Sequence, residues 1–172
     1  MRRIFSKTIH ELAEKDDKII FLAGDYCSQM NNFARDFPTR FYNVGILEQT
    51  TMGIAAGLAL EGMKPYFYTI TPFATERALE QLKIDVLLNR ANVKIVGFDD
   101  YPKHGPTHKG MDVRGISKLL NDYAIPFLGD VPEGGHILCF TPENSEETRK
   151  AVLDSYNDAR PAIIRLKWDP HP

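Results

Sequence analysis

Val44-Gly45-Ile46-Leu47-Glu48-Gln49, continuing from Thr50 to Leu60 and ending in Glu61-Gly62, is the stretch whose reading decides the fold. Phe41 to Val44 is a short apolar run broken by Asn43, and it predicts a brief buried strand. Gly45 permits the turn out of that strand. From Leu47 onward, Leu47, Thr51, Ile54 and Leu58 fall at helical spacing. Gly53, Ala55, Ala56, Gly57 and Ala59 make the predicted helix thin, so that a strand or another chain can approach it closely. Gly62 is the expected stop. Glu48 therefore stands where a strand becomes a helix, in the first turn, with apolar residues on both sides. Two readings of its carboxyl are open. It is a helix-dipole acid, worth roughly 0.3–1 kcal/mol, or a buried carboxyl kept neutral by desolvation and used as a hydrogen-bond partner.

The chain around this stretch has 172 residues, enough for one domain with a proper core. Its formal net charge of −2 leaves no basic surplus for nucleic acid or a membrane surface. Arg2-Arg3 is too short for a basic arm, no signal-peptide apolar core follows it, and no apolar run approaches the length of a bilayer span. Cys27 and Cys139 form neither a metal spacing nor a disulfide framework, and each reads as a buried apolar residue. The expected location is the cytoplasm, with no nucleic-acid or membrane partner.

On the N-terminal side, Phe5, Ile9, Leu12 and Ala13 share one helical face, ended by Asp16-Asp17. Ile19 to Ala23 is an uninterrupted apolar strand left by a Gly24-Asp25 turn, and Asn31 to Phe37 predicts a short helix stopped by Pro38. On the C-terminal side, Pro65 to Ile70 is a strand dense in aromatics, closed by Thr71-Pro72-Phe73. Ala74 to Asn89 predicts an amphipathic helix with Ala78, Leu82, Asp85 and Leu88 in one row. Val93 to Phe98 is an apolar strand, Asp99 to Met111 a polar loop, and Arg114 to Leu120 a helix. Asn121 to His136 reads as an insertion or extended loop. Ile137 to Phe140 is a strand, Glu143 to Tyr156 a helix capped by Asn144 or Ser145, and Ala162 to Leu166 the last strand, with Trp168 to Pro172 as a tail. Apolar strands alternating with helices predict a three-layer α/β/α sandwich, formed by residues 1–172 as a single domain, with a mostly parallel sheet of five or six strands. Glu48 then lies at a strand's C-terminal end, where such sheets bind ligands.

Three blocks, in this order, resemble the pyrimidine-binding domain of transketolase and its thiamine diphosphate relatives. They are Phe41 to Gly62; Thr71 to Val86 with Phe73, Arg77, Glu80-Gln81 and Asp85-Val86; and Gly105-Pro106-Thr107-His108. The resemblance implies thiamine diphosphate with Mg²⁺ as cofactor. It also implies that Glu48 bonds to N1′ of the aminopyrimidine and favours the imino tautomer, whose nitrogen takes the proton from the thiazolium C2. Phe73 is the candidate for the ring stacked on the pyrimidine, an offset stack being worth about 0.5–1.5 kcal/mol beyond its buried area. Ile70 stands where many relatives carry another aromatic. Asp25 is a candidate cofactor contact near the thiazolium end, a turn or cap aspartate being the other reading. Arg77 is grouped with the cofactor residues as a support for the loop or a partner surface, against a solvated helix-face arginine. His108 resembles the family histidine that reaches the substrate's carbonyl or hydroxyl oxygen, and an imidazole suits proton transfer near neutral pH. His104 stands where typical transketolases carry an aspartate that reads a sugar hydroxyl. It is a candidate substrate ligand or a solvated loop histidine, and sugar specificity does not carry over.

The family's diphosphate and metal site uses Gly-Asp-Gly and a later asparagine pair. Gly24-Asp25-Tyr26 lacks the second glycine and Asn31-Asn32 comes too early, so the metal and diphosphate ligands are expected on another chain. With no C-terminal domain expected after the last strand, the chain is expected to hold half of an active site. The leading expectation is an enzyme subunit, the pyrimidine-binding half of a split transketolase. It would transfer a two-carbon ketol unit between small carbonyl or sugar substrates, and only with a separate diphosphate-binding subunit. A heterotetramer self-associating through the pyrimidine domains is the expected assembly. The alternatives are a subunit of a thiamine-dependent decarboxylase or 2-oxo-acid dehydrogenase, and a non-catalytic scaffold. Gly105 to His108 favours the transketolase side, and Glu48, Phe73 and His108 together weigh against a silent scaffold.

Overall fold

The computed structural model describes residues 1–25, 27–98, 100–101 and 104–167. Tyr26, Asp99, Pro102, Lys103 and the expected tail Trp168 to Pro172 lie outside the described residues. Six strands, β1 (Ile19–Ala23), β2 (Phe41–Asn43), β3 (Lys64–Ile70), β4 (Lys94–Phe98), β5 (Leu138–Phe140) and β6 (Ala162–Arg165), form one sheet in the order β2-β1-β3-β4-β6-β5. Every neighbouring pair is parallel. The helices are α1 (Arg2–Ala13), α2 (Asn31–Asp36), α3 (Glu48–Leu60), the single turn α4 (Leu79–Gln81), α5 (Val113–Leu128) and α6 (Ser145–Asn157).

Parallel strands need covering on both faces, and their side-chain alternation supplies two cores. Tyr66 and Tyr68 of β3 point into one core with Phe5, Ile9, Phe21, Phe33 and Val152, beneath α1, α2 and α6. Phe67, between them in sequence, points into the other with Met52, Ala55, Leu82, Val86 and Ile116, beneath α3, α5 and residues 82–88. Phe5 and Phe67 are fully buried, and burial of such a side chain is worth roughly 1.5–3 kcal/mol. The result is the expected α/β/α sandwich. Among the described residues no helix is long and apolar enough to cross a membrane.

Four local readings change. First, β2 is an edge strand and half-open rather than buried: Phe41 is partly covered, while Tyr42 and Asn43 are exposed. Second, the buried face of α3 is Glu48, Thr51, Met52, Ala55 and Ala56, not the Leu47–Thr51–Ile54–Leu58 row. Its small residues press onto β3, and Leu47 and Ile54 are left 56% and 47% exposed. Third, residues 73–88 are not one regular helix. Wide π-helical turns at Phe73–Arg77 and Leu82–Leu88 flank α4. The buried row there is Ala74, Ala78, Leu82 and Val86. Such a strict four-residue spacing drifts around a helix of 3.6 residues per turn, and turns closed by i→i+5 bonds keep it on one face.

Fourth, Asn121 to His136 is not an insertion, because α5 runs through to Leu128 with Pro126 in its last turn. Asn121 belongs to the buried face with Val113, Ile116, Ser117, Leu120 and Ala124. Its Nδ2 donates to the carbonyls of Ser117 (2.9 Å) and Ile137 (3.3 Å). Its Oδ1 accepts from the backbone N–H groups of His136 (2.5 Å) and Ile137 (3.1 Å). A residue that resembles a helix breaker is here a polar stitch between α5 and the start of β5. Asp112 caps α5 through the N–H groups of Arg114 and Gly115, Gly129 (φ 85°) follows its end, and Asn144 caps α6 through that of Glu147.

Candidate active site

The site is built at the C-terminal edge of the sheet. β2 ends at Asn43, whose Nδ2 donates to the carbonyl of Asp25 (2.9 Å) and whose Oδ1 accepts from the N–H of Gly45 (3.1 Å). Gly45, at φ 71°, makes the left-handed turn that a side chain would oppose. Glu48 opens α3 with its side chain only 3% exposed. The Arg77 Nη1 donates to Glu48 Oε1 at 2.9 Å. The carboxyl is thus buried, but a guanidinium faces it, and Arg77 remains 41% exposed.

Arg77 also caps Phe73, with its guanidinium carbon 3.8 Å from the ring centroid. His108 meets the same ring edge-on at 5.0 Å, and the His104 ring lies 5.8 Å from that of His108. Thr107 Oγ1 and His108 Nδ1 are 3.0 Å apart, the donor depending on the imidazole tautomer. Glu48, Phe73, Arg77, His104 and His108 are therefore linked contact by contact. Asp25 stands apart. It is exposed, holds φ 76°, and lines a separate cavity of about 280 Å³ with Arg2, Ile70 and Phe98. A larger cavity of about 710 Å³ between α1 and α2 shares no residue with the Glu48 cluster. Its charges pair with one another, His10 and Arg35 both on Asp36 at 2.9 and 2.7 Å, so it reads as a solvated groove.

Three supporting residues escape the sequence reading. Asp100 is buried and accepts a two-pronged contact from Arg165, Nε to Oδ2 at 2.8 Å and Nη2 to Oδ1 at 3.0 Å. That hydrogen bond raises the Arg165 pKa further, so the pair is a fixed ionic clamp at the ends of β4 and β6. Glu76 accepts from the N–H of Met111 at 2.6 Å. An arginine inside an apolar last strand was the only local hint of the clamp; the Glu76 contact has none. Gly97 of β4 admits the close approach of Thr71, just past the end of β3: an added Cβ there would lie 2.7 Å from Thr71 Oγ1 and 2.9 Å from Thr71 Cα.

The site comprises one carboxylate paired with a guanidinium, one aromatic face and a rim of imidazoles. Those are groups for a heteroaromatic ring and a polar organic substrate. Among the described residues, no three His, Cys, Asp or Glu side chains are disposed to hold a metal ion.

Comparison with known proteins identifies the family and the fold. The family described as "Transketolase, pyrimidine binding domain" matches residues 1–168. One subunit of the apulose-4-phosphate transketolase of Actinobacillus succinogenes is 36% identical over 137 residues, covering 78% of this chain and 40% of that relative. A 1-deoxy-D-xylulose-5-phosphate synthase of Cellvibrio japonicus is 33% identical over 171 residues, covering 94% of this chain and 24% of the synthase. The chain thus spans well under half the length of either relative. Among solved structures, a split gene transketolase described as an inactive beta4 tetramer superposes with a TM-score of 0.81 at 29% identity, over 99% of this chain and 52% of that one. Transketolase from Leishmania mexicana shares the fold, with a TM-score of 0.78 at 16% identity over 96% of this chain and 25% of that one. The chain belongs to the family of transketolase pyrimidine-binding domains.

Proposed function

We propose that this chain is the pyrimidine-binding half of a two-chain, transketolase-like enzyme that transfers a two-carbon ketol unit. The observation that carries the reading is Glu48: a buried carboxylate at the sheet's C-terminal edge, beside an aromatic face and two histidines. This donor set fits the pyrimidine end of thiamine diphosphate. When bound, that cofactor supplies the nucleophilic carbon and the electron sink. Glu48 holds a proton shared with the pyrimidine N1′, and its burial keeps water from competing for that bond. Phe73 offers the stacking face, for which Arg77 has to leave the ring. His108 holds or moves a proton at the substrate's oxygen, His104 contacts the substrate's distal part, and Asp25 borders the thiazolium end. The diphosphate and Mg²⁺ ligands belong to a separate subunit, recognisable by Gly-Asp-Gly and a later asparagine pair. The assembly is a heterotetramer in the cytoplasm.

A second reading is that the catalysed reaction is that of a synthase. The Cellvibrio japonicus and Listeria monocytogenes 1-deoxy-D-xylulose-5-phosphate synthases match at 33% and 36% identity, over 94% and 93% of this chain. Assaying the reconstituted enzyme with ketose donors and with 2-oxo acids separates the two. Glu48→Gln tests both at once. It is expected to fold, because the exposed Arg77 can be solvated, and to lower turnover at least about a hundredfold, the low end for a lost proton-transfer group. Turnover within a few fold of wild type, with cofactor bound, returns Glu48 to the role of a helix-dipole acid.

A further inference from the structure

Three side chains of the π-helical turn Phe73–Arg77 reach out to separate partners. Phe73 meets His108 and Arg77 meets Glu48. Glu76 has no part in the chemistry above, yet its Oε1 accepts the N–H of Met111 at 2.6 Å. A charge-assisted hydrogen bond of that length is among the stronger kinds. It ties down the end of the loop that carries His108. The loop's own bonds are long: His108 N–H to the Gly105 carbonyl at 3.2 Å and Lys109 N–H to that of Pro106 at 3.4 Å. Steric contact also supports it. Gly110 sits where an added Cβ would come within 3.4 Å of both Pro72 and the clamped Asp100.

We propose that Glu76 is the positioning residue that sets His108 against Phe73, and so aims the imidazole at the substrate end of the site. This rests on the assignment of His108 to the substrate's oxygen. Glu76 touches no reacting atom; it acts through the Met111 amide and the loop. One helical turn would then place the stacking ring, the partner of the essential acid and the anchor of the histidine loop together.

The test compares Glu76→Ala with Glu76→Gln, whose side-chain oxygen can still accept the Met111 N–H. In the free chain, Glu76→Ala is expected to speed hydrogen exchange at Met111 and its loop neighbours by roughly ten- to hundredfold, the weight of a hydrogen bond to a charged group. Amides of residues 82–88 stay protected, and Glu76→Gln stays within a few fold of wild type. In the reconstituted enzyme, Glu76→Ala lowers kcat roughly tenfold or more with cofactor affinity unchanged, and Glu76→Gln restores most of it. Unchanged Met111 exchange in Glu76→Ala overturns the proposal. So does faster exchange with unaltered turnover, or a Gln variant as impaired as Ala. Full turnover in Glu48→Gln would instead remove the functional reading, and the exchange measurements do not depend on it.

Discussion

A buried carboxylate needs a partner, because desolvating an unpaired charge costs several kcal/mol. Glu48 finds one in Arg77, 29 positions away. Arg77 reaches water with the rest of its head and lies on Phe73, so it can swing out without leaving a second charge buried. Lys94 solves the same problem differently. It is 1% exposed at the opposite edge of the sheet, and its Nζ donates to the carbonyls of Asp158 (3.0 Å) and Arg160 (2.7 Å). Burial pushes its pKa down to about 7, against the pull of Asp158 and with help from Lys64 and Arg160. Two carbonyls match the two N–H donors of a neutral amine. The folded pKa lies below the unfolded value, so the native state binds fewer protons between them. Stability therefore rises with pH from about 7 towards 10.5. Urea unfolding at pH 7 and pH 9 should show wild type gaining about 2 kcal/mol more than Lys94→Met over that interval. Parallel changes in the two proteins would mean that Lys94 stays charged when buried. None of these pairings is legible in the sequence. Glu48 with Arg77, Glu76 with Met111 and Asp100 with Arg165 join residues 29, 35 and 65 apart, and no local spacing encodes them.

Among the elements, α3 carries the plainest mark of something beyond this chain. Gly53 and Gly57 lie off its sheet-facing side. An added Cβ at Gly57 would meet nothing within 4 Å, and at Gly53 only Asp85, at 3.5 Å. The chain's own packing does not require either glycine, and each costs helix stability of up to about 1 kcal/mol relative to Ala. Around them Ile46, Leu47, Ile54 and Leu60 are 63%, 56%, 47% and 59% exposed. A thin, uncovered apolar face of this kind suits close approach by another helix. Gly57→Leu is accordingly expected to leave the unfolding temperature of the isolated chain unchanged or raised, while weakening self-association at least tenfold in sedimentation experiments. Unaltered association would show that this face is not the contact. The sequence showed the helix, its Gly45 entry and its Gly62 exit, because those rest on local glycine conformations. It did not show which side was buried, since the spacing of Leu47, Thr51, Ile54 and Leu58 marks a helix without choosing its face. Asn121 and Pro126 hid the second half of α5. Their usual local preferences were overridden by a buried polar stitch and by a position in the last turn.

At the scale of the whole molecule, the apolar strands separated by helices were enough to foresee the parallel sandwich and the edge at which Glu48 lies. The blocks Phe41 to Gly62, Thr71 to Val86 and Gly105 to His108, taken together and in that order, carried the resemblance to its family. In the proposed enzyme, the molecule provides the pyrimidine pocket and the α3 face, while the phosphate and metal contacts come from a partner. Binding of cofactor and of partner are then linked, and linkage is reciprocal. The direct measurement is isothermal calorimetry with thiamine diphosphate and Mg²⁺ on this chain alone, on the diphosphate-binding subunit alone, and on the mixture. The expected result is weak or no binding to this chain by itself, tight magnesium-dependent binding to the mixture, and subunits that associate more tightly with cofactor present. Tight, magnesium-dependent binding to this chain alone would contradict the division of the site between two chains.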